Sequence, residues 1–528
     1  MLEASDAPAP SPALRPRART VSAIVPLAVA AFAWLAFSMG ARPLSLPDEG
    51  RYVGVAWEML RSGDWIVPTE NGLPFFHKPP LFYWLTAGAM RVFGPSLWTA
   101  RFAPLVGALL GAAALFLLTR RWIGERHARA VLAVLLLQPF FFGAAQFANL
   151  DMLVAGCIAA SVAAAAHAVL LMREQRGAQA AIVAAWLAAA LGVLAKGLIG
   201  VALPMLVVLA WLLTTGQWRT LLRLCSPLGL AVFALVAAPW FLAMQARFPE
   251  FGHYFFVVQH LQRFAAGGFN NVEPWWYFFV AVPLITLPWS AWLVRPTFGA
   301  RDGEPEAATL LRRLMWIWLV VVAVFFSIPQ SKPIGYIMPV LFPIAALAAD
   351  AVASRLRAGS PRAMQAMIGS AALAAFLCLA IVFGIAANYH HDDTSLARTL
   401  KDLRGADDPV VFVGEYFFDV PYHARLSAPV RVVGDWHDPA IALHDSWRHE
   451  LVDAAAFAPT LASTLLVDAD QGLALRCGEP PLWVLAKEDA SRPIAALAEA
   501  TRIATSNEVT LWRLGPRDCG RSGGATLH

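Results

Sequence analysis

Acids, histidines and isolated lysines sit where long apolar runs end. Between the first and second runs the chain reads Ser45-Leu46-Pro47-Asp48-Glu49-Gly50-Arg51-Tyr52 and later Phe75-Phe76-His77-Lys78-Pro79-Pro80. Asn149 and Asp151 separate the third run from the fourth, and Lys196 closes the fifth. His260 and Arg263 lie between the seventh and eighth, and Ser331-Lys332-Pro333-Ile334-Gly335-Tyr336 joins the ninth to the tenth. Ionisable groups at membrane depth are expensive and are functional candidates by default. Acids beside cations suit a phosphate-bearing substrate and an attacking group that must be oriented or deprotonated. Of 41 basic residues only five are lysine, and three of those, Lys78, Lys196 and Lys332, fall in the apolar part. A compact ammonium meets phosphate as a point charge. Each group alone has a plainer reading: Asp48 caps a helix and pairs with Arg51, Lys196 snorkels to the interface, His260 is a satisfied loop histidine. Their convergence on one face weakens those readings jointly.

The elements that must position these groups are membrane helices. The chain of 528 residues is 58% hydrophobic and only 15% charged, which excludes an ordinary soluble enzyme, a disordered chain and a nucleic-acid binder. A span needs about 20 mostly apolar residues. Candidates are 21–41, 97–118, 130–147, 152–172, 179–195, 198–215, 224–244, 275–294, 314–330, 334–353 and 364–387. The apolar run 80–94 is short and reads as re-entrant or interfacial. Arginines cluster after alternate spans, among them Arg120, Arg121, Arg173, Arg176, Arg312, Arg313, Arg355 and Arg357. The positive-inside rule therefore puts the N-terminus in the cytoplasm and the polar loops outside. Residues 1–20 read as a flexible cytoplasmic tail, 21–387 as the membrane domain with its outer loop at 42–80. In that loop Ser45 is the expected N-cap of a helix with Pro47 in its first turn, placing Asp48, Arg51, Tyr52 and Val55 on one face.

Composition changes near 388, and 388–528 read as a small extracytoplasmic α/β domain. Strands are expected at 410–413, 430–433, 465–467, 482–485 and 509–514, and helices near 395–404 and 450–458. Cys477 and Cys519 could pair in an oxidising compartment. The fold class is thus mainly α, a polytopic helical domain of about 11–13 transmembrane helices plus a small C-terminal α/β domain.

The motifs Pro47-Asp48-Glu49-Gly50-Arg51-Tyr52, Ser62-Gly63-Asp64-Trp65, Lys78-Pro79-Pro80-Leu81-Phe82-Tyr83-Trp84, Leu150-Asp151-Met152, Ala195-Lys196-Gly197, His260-Leu261-Gln262-Arg263-Phe264 and Ser331-Lys332-Pro333-Ile334-Gly335-Tyr336 occur in order. Together they resemble the integral-membrane glycosyltransferases of the GT-C type, in the branch of the lipid A 4-amino-4-deoxy-L-arabinose transferases and protein O-mannosyltransferases. The resemblance covers about residues 20 to 387. It implies sugar transfer from a polyprenyl-phosphate donor to a lipid, glycan or protein acceptor at the outer face of the bacterial inner membrane, with no nucleic acid involved. It implies Asp48 at the active centre, Arg51, Lys78 and Tyr336 on the carrier phosphate, and Asp151 and Lys196 as polar cavity residues; Asp151 is grouped with Asp48, and Lys196 and Lys332 with the phosphate set. It also implies a divalent metal such as zinc on His260. The family pattern has a glutamate before Lys-Pro-Pro, where this chain has His77. His77 with His260 could keep a metal site, or the site could be lost.

Two other classes compete: a flippase or transporter of anionic lipid-linked sugar, and a non-catalytic assembly protein. Mid-membrane polar groups and internal repeats would favour the first. Here the polar groups gather at one face and no repeat is visible.

Overall fold

A computed structural model describes residues 18–262, 271–294, 303–388, 393–443, 446–473, 480–491, 494–498 and 500–515. The expected Cys477–Cys519 pair, Arg263 and the side chain of His260 lie outside them. Each of the eleven expected spans contains helix, in the expected order. Seven helices are long and apolar enough to cross a membrane: Phe102–Trp122, Leu150–Arg173, Gln179–Lys196, Pro227–Arg247, Glu306–Ser327, Ile334–Arg357 and Pro361–Asn388. The chain is therefore a multi-pass membrane protein. Ile24–Ala36 and Ile199–Thr214 are shorter apolar helices. The remaining two expected spans are broken into shorter pieces. Pro139 starts a new helix, so 130–147 divides into Glu125–Leu136 and Pro139–Ala144, and 275–294 divides into Tyr277–Ile285 and a turn at Ser290–Leu293. Proline lacks the N–H that would continue the ladder.

Phe102–Trp122 and Leu150–Arg173 pack backbone to backbone. A Cβ on Gly156 would lie 1.9 Å from the carbonyl oxygen of Gly107, and a Cβ on Gly107 would lie 2.4 Å from Leu153 Cα. Small residues at the crossing allow this approach, which supplies van der Waals contact where lipid gives no hydrophobic drive. The pair is antiparallel to Gln179–Lys196, so Asp151 at the start of one helix lies at the same end as Lys196 at the finish of the other. The arginine-rich loops gather at the opposite end, where Arg121 meets Glu174 and Arg173 meets Glu306.

The segment 42–80 folds into the helix Asp48–Ser62 and a two-stranded hairpin, β1 (Thr69–Glu70) and β2 (Leu73–Pro74). The short run becomes the 13-residue helix Leu81–Phe93. It packs on Asp48–Ser62, with the Tyr52 and Phe82 rings 5.9 Å apart, and is too short to span.

The C-terminal domain is one six-stranded mixed sheet: β3 (Val410–Val413), β4 (Arg431–Val433), β5 (Leu466–Val467), β6 (Leu482–Lys487), β7 (Thr501–Ser506) and β8 (Val509–Leu514), in the order β5-β4-β3-β6-β8-β7. β3 is parallel to β4 and β6; β8 is antiparallel to β6 and β7. All five expected strands are present; β7 was not expected. The hairpin is tied to this domain by Asn71, whose side chain donates to Val430 O at 2.9 Å and accepts from Val430 N at 2.8 Å.

Overpacking a tight crossing costs about 1–3 kcal/mol. Gly156→Ala should lower the melting temperature in detergent, whereas Gly88→Ala, with nothing within 4 Å of its Cβ position, should not. Equal melting temperatures for both variants would mean the crossing is not as close as described.

Candidate active site

The helix Asp48–Ser62 opens without the expected cap. Pro47 is its N-cap residue and provides no side-chain bond. The Ser45 hydroxyl instead accepts from Arg42 at 3.1 Å, and the Ser45 N–H donates to Glu49 at 2.8 Å. Glu49 explains the change. Its carboxylate is fully buried and receives Arg42, Arg101 Nε at 2.9 Å and the Ala148 N–H at 2.6 Å. Burial would raise its pKa, but Arg101 and Arg42 outweigh that and hold it down at about 2. Arg101 also donates to the carbonyls of Met39, Arg42 and Pro43, the last two at 3.0 and 2.8 Å. The adjacent acid is used differently: the Asp48 side chain is 55% exposed and faces a cavity.

That cavity has a volume of about 570 Å³. It draws Asp48, Arg51 and Tyr52 from one helix, His77 and Lys78 from the loop after the hairpin, Asp151 and Lys196 from two helix ends, and Tyr336 from the turn Ile334–Val340. Asn149 caps Leu150–Arg173 by accepting from the Asp151 N–H at 2.9 Å, and its amide donates to Asp151 Oδ2 at 3.1 Å. Asp151 Oδ1 pairs with Lys196, whose ammonium stands 4.2 Å from the centroid of the Tyr336 ring. Gly335 makes room for this group, because a Cβ there would come within 2.4 Å of Asp151 Oδ2. Arg51 lies 3.7 Å from Asp48 and 3.0 Å from Glu450. Burial works against the Arg51 charge, but the neighbouring Glu450 outweighs it, with Asp48 adding to the effect, and its pKa is pushed up. Burial likewise pushes Tyr52 up, reinforced by Asp48, so its phenol stays protonated.

A second cavity of about 140 Å³ shares His77, Lys78, Lys196 and Tyr336 with the first. Its other walls include Ile199, Phe325, Phe326 and Pro329. A polar chamber and an apolar one thus meet at the same cations. This arrangement can hold an amphiphile by its anionic junction, with a reacting group beside Asp48.

Lys332 does not line either cavity. It is 3% exposed, and its ammonium donates to the carbonyls of Glu273 at 2.8 Å, Pro329, and Gln330 at 3.4 Å. With its own N–H on Asn271 O at 2.9 Å, it fastens two loops together. Lys332 thus sits apart from the phosphate set with which it was grouped. The His77 ring tilts against Phe75, centroids 4.7 Å apart, and lines both cavities. Among the described residues no three His, Cys, Asp or Glu side chains gather to hold a metal ion.

The C-terminal domain supplies cavity residues that the sequence did not reveal. Glu415, Tyr416, Phe417 and Phe418 follow β3, and Ser446, Trp447 and Glu450 open the helix Trp447–Ala455. One signal was available: ligands sit outside the carboxyl ends of parallel strands, and 415–418 leaves that end of a strand flanked by two parallel neighbours.

Residues 77–242 match the family described as dolichyl-phosphate-mannose-protein mannosyltransferase. The chain is 33% identical over 360 residues to the undecaprenyl phosphate-alpha-4-amino-4-deoxy-L-arabinose arabinosyl transferase of Aeromonas salmonicida, covering 66% of this chain and 63% of that one. It is 35% identical over 326 residues to a protein of the same name from Pseudomonas aeruginosa, covering 61% and 58%. The matches thus span somewhat less than two thirds of those relatives' length. The crystal structure of ArnT from Cupriavidus metallidurans bound to undecaprenyl phosphate is similar, with a TM-score of 0.78 and 25% identity over 94% of this chain and 98% of that one. The Archaeoglobus fulgidus oligosaccharyltransferase with Zn and sulfate shares the fold alone, with a TM-score of 0.52 and 13% identity over 88% of this chain and 68% of that one.

Glu49 and Asp48 should separate stability from chemistry. Neutralising Glu49 leaves two buried arginines uncompensated, a loss of about 3–5 kcal/mol. Glu49→Gln should therefore sharply reduce folded protein, while Asp48→Asn should fold normally. Because the Glu49 pKa is depressed, its contribution is complete above its ordinary 4.5 and is lost only as pH falls through about 2. Melting curves of the three proteins at neutral pH check the contrast.

Proposed function

We propose that this chain, a membrane protein of the GT-C glycosyltransferase type by its sequence and its fold, transfers a sugar from a polyprenyl-phosphate carrier to a cell-envelope lipid. One observation carries the reading: Asp48, Arg51, Lys78, Asp151, Lys196 and Tyr336, from separate stretches of the chain, meet in a single cavity joined to an apolar one. The relatives' names and the undecaprenyl phosphate in the Cupriavidus crystal support a lipid carrier as donor. We place the enzyme in the bacterial inner membrane, N-terminus in the cytoplasm and C-terminal domain in the periplasm. The arginine-rich loops at the end remote from the cavity support that orientation.

In this reading the carrier phosphate lies between Arg51 and Lys78, and the Tyr336 hydroxyl donates to it. As the glycosidic bond breaks, negative charge grows on the departing phosphate, and the fixed cations stabilise it. Lys196 is already paired with Asp151, so this pair shapes the wall. Asp48 orients the acceptor and takes its proton if the acceptor is a hydroxyl; a phosphate acceptor needs only positioning. Attack from the face opposite the carrier inverts the anomeric centre. The prenyl tail follows the lobe of Ile199, Phe325 and Phe326. No step is routed through a metal ion; His77 with His260 are the residues that would hold one.

Purified full-length protein with radiolabelled polyprenyl-phosphate sugars and membrane extract tests the reading. Label should move into the lipid fraction. Asp48→Asn and Lys78→Ala should each lower the rate at least about 100-fold, the range of one lost acid–base or charge-stabilising group, with insertion unchanged. Transfer at the wild-type rate by either variant would refute the assigned roles, and label in protein would replace the lipid acceptor. A chelator arm, with zinc added back, reads whether His77 and His260 hold a metal.

A further inference from the structure

Arg51 is held by a domain in which no transferase motif was found. Its Nε lies 3.0 Å from Glu450 Oε2, and its guanidinium covers the Phe418 ring, Cζ to centroid 5.1 Å. Both residues belong to the C-terminal domain and line the cavity. Glu450 sits in the first turn of Trp447–Ala455, with its side chain 8% exposed. Glu70, fully buried on β1, is the neighbouring acid. Burial pushes its carboxyl up, with Glu450 adding to the rise and Arg51 opposing it. A guanidinium makes two parallel bonds to phosphate only when its plane is correctly turned. The Glu450 carboxylate 3.0 Å from Nε, the Phe418 ring against one face and Asp48 3.7 Å from Nη1 restrict how that plane can turn.

We propose that Glu450 is a positioning residue for Arg51, turning its Nη groups to the carrier phosphate, so that donor binding depends on the C-terminal domain being seated on the membrane domain. This rests on the reading of the cavity as a polyprenyl-phosphate site. It gives the C-terminal domain a part in binding through a side chain that touches the cation and not the donor. Glutamine at 450 keeps the shape and removes the charge; aspartate keeps the charge at a shorter reach.

The test is binding of radiolabelled undecaprenyl phosphate to the full chain in detergent, with a melting curve for every variant. Glu450→Gln should bind about tenfold more weakly, a size typical of coupled neighbouring groups, while melting within a few degrees of wild type. Glu450→Asp should fall between the two. Arg51→Gln should lose most binding, and Arg51→Gln with Glu450→Gln should bind no worse than Arg51→Gln alone, since a group acting through Arg51 has nothing left to act on. If Arg51→Gln does not fold, Arg51→Lys takes its place in the cycle. Wild-type affinity in Glu450→Gln, or losses that multiply in the double variant, would overturn the proposal while leaving the donor reading intact. Absence of binding by the wild-type chain would overturn the donor reading, and the Glu450 proposal with it.

Discussion

The carboxylate of Glu49, buried between Arg42 and Arg101, fixes the floor on which the cavity stands. It binds groups from three stretches of chain: the turn 42–45, the start of the helix Phe102–Trp122, and Ala148 just before the Asn149 cap. Removing charges from water is costly unless each is met by an opposite charge and hydrogen bonds. Here the two arginines also reach the carbonyls of Met39, Arg42, Pro43 and Gln146, so both ends of the network are satisfied. The consequence for the site is geometric. Asp48 is the next residue, on the other face of the helix, and Asp151 follows three residues after Ala148. Two acids far apart in sequence are thus brought to the lining of one cavity by a third acid that is not part of that lining.

The C-terminal domain completes the enclosure. Its loop after β3 and the start of its helix Trp447–Ala455 close the side of the cavity that the membrane helices leave open. The seam is held by specific contacts: Asn71 with Val430, Trp57 Nε1 donating to Leu426 O at 3.3 Å, and Arg425 donating to Pro95 O at 2.8 Å. Close packing adds to it, since Gly50 faces Phe418 with no room for a side chain. Charge-assisted hydrogen bonds supply orientation as well as affinity. A domain attached this way is a wall of the site, not an appendage.

Much of this was legible in the sequence, for a physical reason. Spanning helices announce themselves through some 20 apolar residues, and seven of the eleven expected runs hold a helix long and apolar enough to cross. The breaks at Pro139 and within 275–294 were missed because hydropathy does not register a lost N–H. The Ser45 cap was misread because Arg42 and Glu49 compete for the same seryl groups, and Arg42 precedes any helical pattern. β7 was missed because Thr501–Ser506 is mostly polar and half exposed, as an edge strand can be. Asp48, Arg51, Lys78, Asp151, Lys196 and Tyr336 were named in advance and lie together. Glu415, Phe418 and Glu450 were not, because their meaning comes from docking across a long stretch of chain.

Lys332 shows the limit of reasoning from residue type. It has the same ammonium and lies at the same end of the bundle as Lys196. The difference is what each finds within reach. Lys332 meets three carbonyls from two loops, a neutral cage that satisfies its donors without changing the local charge. Lys196 meets a carboxylate and an aromatic face, while Arg51 meets two carboxylates. A cation in a carbonyl cage has its three donors engaged by dipoles already fixed in place. A cation beside a carboxylate at a cavity wall can share its field with a second anion when one arrives. Counter-charge geometry, rather than the presence of a lysine, therefore separates the residues that fasten the fold from those that can meet a phosphate.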